Sequence, residues 1–159
     1  NAVSKFPLDK CRWLVIADNV SNETYEMIVK YIPKENIERV SVGHGAGTFR
    51  LAYEKVLSLD KDTLVYFLEN DYIHRSGSLD ALKEAAENVD SEYITLYDNS
   101  DKYGYGNLNP LVKGGERSRV FLTNSSHWKY TNSTTMTFAA FADVLIRDKK
   151  FFWNFSKNY

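Results

Sequence analysis

Short, uninterrupted apolar runs alternating with helix-patterned stretches constrain this chain more than any other feature. Trp13-Leu14-Val15-Ile16-Ala17 is such a run. It is too short for a helix and has no polar residue to turn toward water, so it reads as a strand buried on both faces. It stops at Asp18-Asn19. Ser21 then stands where an N-cap belongs, with Glu23 in the first turn of a helix running to about Tyr31 and Pro33 past its end. A second strand reads over 38–42. The glycine-rich turn Gly43-His44-Gly45-Ala46-Gly47 leads into a helix over 48–57, whose apolar positions recur at helical spacing. A third strand over 63–68, a helix over 79–86 and a strand over 93–97 ending at Asp98 continue the alternation. Such succession predicts an α/β fold, with a mostly parallel sheet flanked by helices and right-handed crossovers.

Beyond Asp98 the pattern changes. Residues 99–117 are polar and turn-prone, with Tyr103-Gly104-Tyr105-Gly106, Asn109-Pro110 and Gly114-Gly115. A stretch of that length without its own periodicity reads as a lid or binding loop, with disorder as the alternative. Order returns with strands over 119–122 and 133–140 and a helix from about Asp143 to Phe152.

At 159 residues and 43% hydrophobic composition, the chain can bury one core, and a single domain is expected. Lys and Arg number 20 against 21 Asp and Glu. No global field therefore gathers nucleic acid or an anionic membrane, and a polyanionic ligand would have to be small and locally recognised. Cys11 stands alone, cannot form an intrachain disulfide, and reads as a small hydrophobe. No apolar run approaches the roughly 20 residues of a transmembrane span, and the N-terminus lacks a signal-peptide pattern. N-x-Ser/Thr sequons begin at Asn22, Asn124, Asn132 and Asn154. About two would arise by chance in so Asn- and Ser-rich a chain, so they carry no weight.

The chemistry concentrates where strands end. Thr63-Leu64-Val65-Tyr66-Phe67-Leu68 empties into Glu69-Asn70-Asp71. Alternation puts Glu69 and Asp71 on one side while Asn70 points away. Setting ionised acids beside a core costs several kcal/mol unless a cation or donor compensates. The expected partner is Mg²⁺ or Mn²⁺ held against phosphate oxygens, since both ions take oxygen ligands and complete their shells with water and substrate. Asp18 and Asp98 also stand at strand ends, and in open α/β sheets ligands bind beyond the carboxyl ends of the strands. These acids are therefore expected to converge on one cleft. Singly, each has an ordinary alternative as a helix N-cap or turn residue.

Leu64 to Asp71 resembles the strand and DxD-type metal motif of nucleotide-sugar glycosyltransferases with the GT-A fold, here in the variant Glu69-Asn70-Asp71. The resemblance covers roughly residues 13–145 and implies a Rossmann-like catalytic domain, trimmed at one or both ends. Glu in place of the first Asp departs from the family pattern. The resemblance implies that Asp71 coordinates the divalent ion, Mn²⁺ or Mg²⁺, while Glu69 meets the ribose or reaches the metal through water. His127 would be a third metal ligand. Asp18, Arg50, Asn70, His74 and Trp128 would contact the nucleotide-sugar, a UDP-sugar being favoured. The acceptor would be a carbohydrate or another hydroxyl compound, and further domains could lie outside the fragment.

A base for the acceptor hydroxyl is expected at Asp98, then Asp101, because both border the Tyr-rich loop. Bland readings stand beside these: Arg50 on a solvated helix face, His127 as a structural or surface histidine, Trp128 as packing, His74 at a helix entrance. His44 has a weak claim. Two other functions also fit acids at strand ends. One is a metal-dependent phosphotransferase or phosphatase, although its phosphoaspartyl versions need Asp where Glu69 stands. The other is a non-catalytic nucleotide-sugar-binding domain.

Overall fold

The structure is a computed structural model that describes residues 1–98, 119–131 and 134–156. In chain order the described elements are α1 (Ala2–Lys5), β1 (Val15–Asp18), α2 (Asn22–Val29), a 3-10 turn (Lys34–Asn36), β2 (Ile37–Val40), α3 (Gly45–Val56), β3 (Leu64–Phe67), α4 (Ser78–Asn88), β4 (Val120–Leu122), β5 (His127–Lys129), β6 (Phe138–Phe141) and α5 (Ala142–Phe155). They fall into two compact units, Asn1–Thr63 with the chain from Phe141 onward, and Leu64–Ala140. No helix among the described residues is long and apolar enough to cross a membrane.

In the first unit β1 and β2 pair in parallel, with Val15 opposite Ile37 and Asp18 opposite Val40. Parallel neighbours need a crossover, and α2 supplies it. Its start is the one the sequence predicts: the Ser21 hydroxyl accepts the Thr24 amide at 3.2 Å. Helix α3 begins three residues earlier than its apolar pattern implies, at Gly45, because Nδ1 of His44 accepts the Gly47 amide at 3.0 Å and caps the first turn. Gly43 has φ +80°, a left-handed conformation that a residue without Cβ adopts at no steric cost.

Helices α3 and α5 meet through aromatic side chains. Tyr53 is fully buried, with ring centroids of Phe49, Phe152 and Trp153 at 5.7, 5.0 and 5.4 Å. Its hydroxyl donates to the Leu145 carbonyl. Burial first, and the negative charge of Asp148 second, push this phenol up to about 12. The amides of Ala142 and Asp143 donate to the carbonyls of Thr63 and Lys61 at 2.9 and 3.0 Å, which fastens the start of α5.

In the second unit β3 lies beside β6, and Phe67 and Phe138 pack with centroids 5.2 Å apart. Helix α4 buries Leu79, Leu82 and Ala85, spaced to one face. Strands β4 and β5 form an antiparallel hairpin with Phe121 opposite Trp128. The carboxylate of Glu84 on α4 holds the hairpin turn by accepting the amides of Asn124 and Ser125 and the Ser125 hydroxyl.

The α/β class holds, but the described strands form three two-stranded sheets rather than one mostly parallel sheet. Two local causes are visible. Among the described residues, segment 93–97 forms no strand ladder but an isolated antiparallel bridge between Ile94 and Ala139. Beyond it the Thr95 hydroxyl donates to the Thr137 carbonyl at 2.8 Å and accepts the Tyr97 amide at 3.1 Å, so a side chain takes the place of ladder bonds. The strand expected over 133–140 is shortened to Phe138–Phe141, since Thr135 has φ 57° and extension cannot pass through it.

Candidate functional site

The acid pair is built on β3 and tied to the approach to β6. Phe67 is buried, and two residues later the Glu69 amide donates to the hydroxyl of Thr137 at 3.3 Å. The Met136 backbone lies near enough to the Glu69 carboxylate to favour its charged form. Tyr72 shares a 3.0 Å hydrogen bond with the Thr135 hydroxyl and sets its ring edge-on to Tyr97, 5.7 Å between centroids. Residues on both flanks of Asn70-Asp71 are thus held by residues 135–137. Thr135, a β-branched residue in the left-handed region, carries backbone strain at this junction.

Electrostatics couple the two acids. The Glu69 carboxyl is held above the usual carboxylate range by burial first and by the negative charge of Asp71 second, with the Met136 amide acting in the opposite direction. Glu69, Asn70 and Asp71 are all exposed, so the burial that raises Glu69 is partial. A cation between the carboxylates would remove both penalties. No group of three or more His, Cys, Asp or Glu that could cage a metal occurs among the described residues.

His127 is not gathered with these acids. It lies exposed in β5, opposite Leu122, on a hairpin whose other face carries Trp128. The Trp128 indole donates to the Thr123 hydroxyl at 3.3 Å, so this ring is anchored within its own hairpin. His74 is only 6% exposed, and its Nε2 lies 2.9 Å from the Tyr66 hydroxyl beneath the motif. Burial holds this imidazole below its ordinary value, favouring the neutral ring. Asp98 is exposed in the same unit. Asp101 and the expected loop over 99–117 lie outside the described residues.

Asp18 and Arg50 belong to the first unit, and both are engaged there. Asp18 accepts the amides of Val42 and Gly43 at 2.7 and 2.9 Å and the Thr48 hydroxyl at 3.1 Å. Its carboxylate thereby ties the end of β1 to the turn that starts α3. Arg50 donates from Nε to the Ser156 hydroxyl at 2.7 Å and from a terminal nitrogen to the Trp153 carbonyl at 2.8 Å. It caps the last turn of α5, where a cation meets the negative end of the helix.

Sequence reasoning did not single out Met136 and Thr137 as supports of Glu69, nor His44 as a helix cap. A strand-like Ser-Thr-Thr-Met-Thr run carries no sign that one hydroxyl will be buried under an acid. His44 had a signal: it stands three residues before Gly47, the spacing of an N-cap and its amide. Comparison of the chain with protein-family models, curated proteins and solved structures yields no match.

Proposed function

We propose that this chain is a metal-dependent glycosyltransferase domain of the GT-A type, moving a hexose-like sugar from a nucleoside diphosphate sugar, UDP-sugar favoured, to a hydroxyl acceptor. The observation that supports it is the placement of Glu69 and Asp71 just past the end of β3, both open to solvent, with the charge of Asp71 helping to raise the Glu69 carboxyl. Mg²⁺ or Mn²⁺ bound there would supply Lewis acidity and neutralise charge as the nucleoside diphosphate leaves. Asp71 holds the ion, and Glu69, positioned by Met136 and Thr137, faces the same ligand. Asp98 is the proposed base for the acceptor hydroxyl, being exposed and in the same unit as the acid pair.

Calorimetric titration with UDP-sugars and GDP-sugars, with and without Mn²⁺, tests this. Affinity should fall by about tenfold or more on chelation and in Asp71→Ala, since even outer partners of a metal site cost that much. Slow, Mn²⁺-dependent hydrolysis of the donor should accompany binding. Affinity indifferent both to chelator and to Asp71→Ala would refute the metal site. Release of phosphate from simple monoesters, with no nucleotide-sugar affinity, would replace this function with a phosphatase. Metal-dependent binding without turnover toward any acceptor or water would reduce it to a binding domain.

A further inference from the structure

Thr95 makes two hydrogen bonds through one hydroxyl. It donates to the Thr137 carbonyl at 2.8 Å and accepts the Tyr97 amide at 3.1 Å. Each bond leads toward one of the two acids. Thr137 is 1% exposed, and its own hydroxyl accepts the Glu69 amide at 3.3 Å. Tyr97 meets the ring of Tyr72, the residue after Asp71, edge-on with 5.7 Å between centroids.

The two arms also join each other. The Tyr72 hydroxyl shares a 3.0 Å hydrogen bond with that of Thr135, two residues before Thr137. Segments 69–72, 95–97 and 135–137 thereby close a circuit: from Thr95 to Thr137, back along the chain to Thr135, across to Tyr72, and through Tyr97 to Thr95 again. Glu69 is attached to it at Thr137 and Asp71 at Tyr72. Members of such a network fix one another's geometry, so removing one loosens the others. The bridge between Ile94 and Ala139 holds segment 93–97 by backbone bonds alone, and it does not depend on the Thr95 side chain.

We infer that Thr95 is a positioning residue for the acid pair, its hydroxyl setting where Glu69 stands relative to Asp71 by acting through Thr137 and Tyr97. The inference rests on the reading of Glu69 and Asp71 as the acids that hold a divalent ion. Two carboxylates serve one cation only at a fixed separation, and both stand exposed in a turn with little packing of their own.

Thr95→Val keeps the branched shape and removes the hydroxyl, whereas Thr95→Ser keeps the hydroxyl. Amide hydrogen exchange followed by NMR without metal, and calorimetric titration with Mn²⁺, test the two variants against wild type. In Thr95→Val the Glu69 amide should exchange about tenfold faster. Mn²⁺ should bind that variant about tenfold more weakly, as for outer partners of a metal site. The amides of Leu82 and Ala85 within α4 should keep their wild-type rates, which separates a local change from loss of the fold. Thr95→Ser should restore both properties. Unchanged Glu69 exchange in Thr95→Val overturns the inference, and so does faster exchange with unchanged Mn²⁺ affinity. A serine variant as impaired as the valine one also overturns it, by assigning the effect to packing. If wild type takes up no Mn²⁺, the metal reading falls, while faster Glu69 exchange in Thr95→Val with rescue by serine still upholds the hold of Thr95 on Glu69.

Discussion

The Val42 amide donates a 2.7 Å hydrogen bond to the Asp18 carboxylate, so the end of β1 organises the turn that launches α3. Burial works to raise this carboxyl, but the amides of Val42 and Gly43, the Thr48 hydroxyl and the nearby His44 outweigh it and leave it below the usual range. A carboxyl lowered in the folded state stabilises the protein above its unfolded value, and that contribution disappears as pH falls through the lowered folded value. Asp18→Asn should therefore lower the melting temperature at neutral pH and flatten the acid limb of stability below about pH 4. Thermal melts from pH 7 downward check this. Equal acid limbs for both proteins would remove Asp18 from the linkage.

Gly47 stands where the same turn is tightest. A Cβ there would run into Cγ1 of Val42 and lie 2.7 Å from Cε1 of His44, closer than packed carbons tolerate. Gly47→Ala should cost about 1–3 kcal/mol, despite the better helix propensity of alanine. Gly45→Ala is the control, since a Cβ at Gly45 meets nothing within 4 Å. Urea denaturation should separate the two variants.

Tyr53 joins α3 to α5 by a hydroxyl as well as a ring. Tyr53→Phe keeps the ring contacts and removes the donor to Leu145, and should cost about 1–2 kcal/mol by denaturant unfolding. A loss near zero would mean that this hydroxyl adds nothing to the ring contacts and the Arg50 hydrogen bonds that also join the helices.

Glu69 should report on its neighbour. Because burial is the larger cause of its raised value and the charge of Asp71 the second, Asp71→Asn should lower the Glu69 titration while leaving it above the ordinary carboxylate value. The sign for stability follows. A carboxyl raised in the folded state favours folding below its unfolded value, and that advantage is lost as pH rises through the folded value. Carbon-detected NMR titration of the Glu69 side chain checks both directions. In wild type, Mn²⁺ or Mg²⁺ should lower the same titration, whereas no response to either ion would leave the carboxylates without a cation.

Local physics was legible in the chain. The Ser21 cap, the strand leading to Glu69 and the helix over 79–86 are short-range consequences of side-chain size, propensity and hydrogen-bonding capacity, and each appears near its expected place. Hairpin β4–β5 was only half legible, because His127-Trp128-Lys129 is too short and too polar to read as a strand alone. The sheet was less legible still. Whether segment 93–97 completes a ladder depends on where the Thr95 hydroxyl finds a partner, and that partner, Thr137, lies 42 residues away.

For the site, the sequence alone placed Glu69 and Asp71 just past an apolar strand, because the run that makes β3 is a property of neighbours in the chain. The strand stops at Phe67 and Asn70-Asp71 lie in a turn, so strand alternation does not orient the pair. Only the tertiary structure decided what surrounds each candidate. It put Met136 and Thr137 against Glu69, committed Arg50 to the end of α5, buried His74 against Tyr66 and left His127 exposed on a hairpin. The physical reason is that a hydrogen bond or a shared charge depends on distance in space. Partners 68 residues apart, as Glu69 and Thr137 are, leave no periodic trace in the sequence between them.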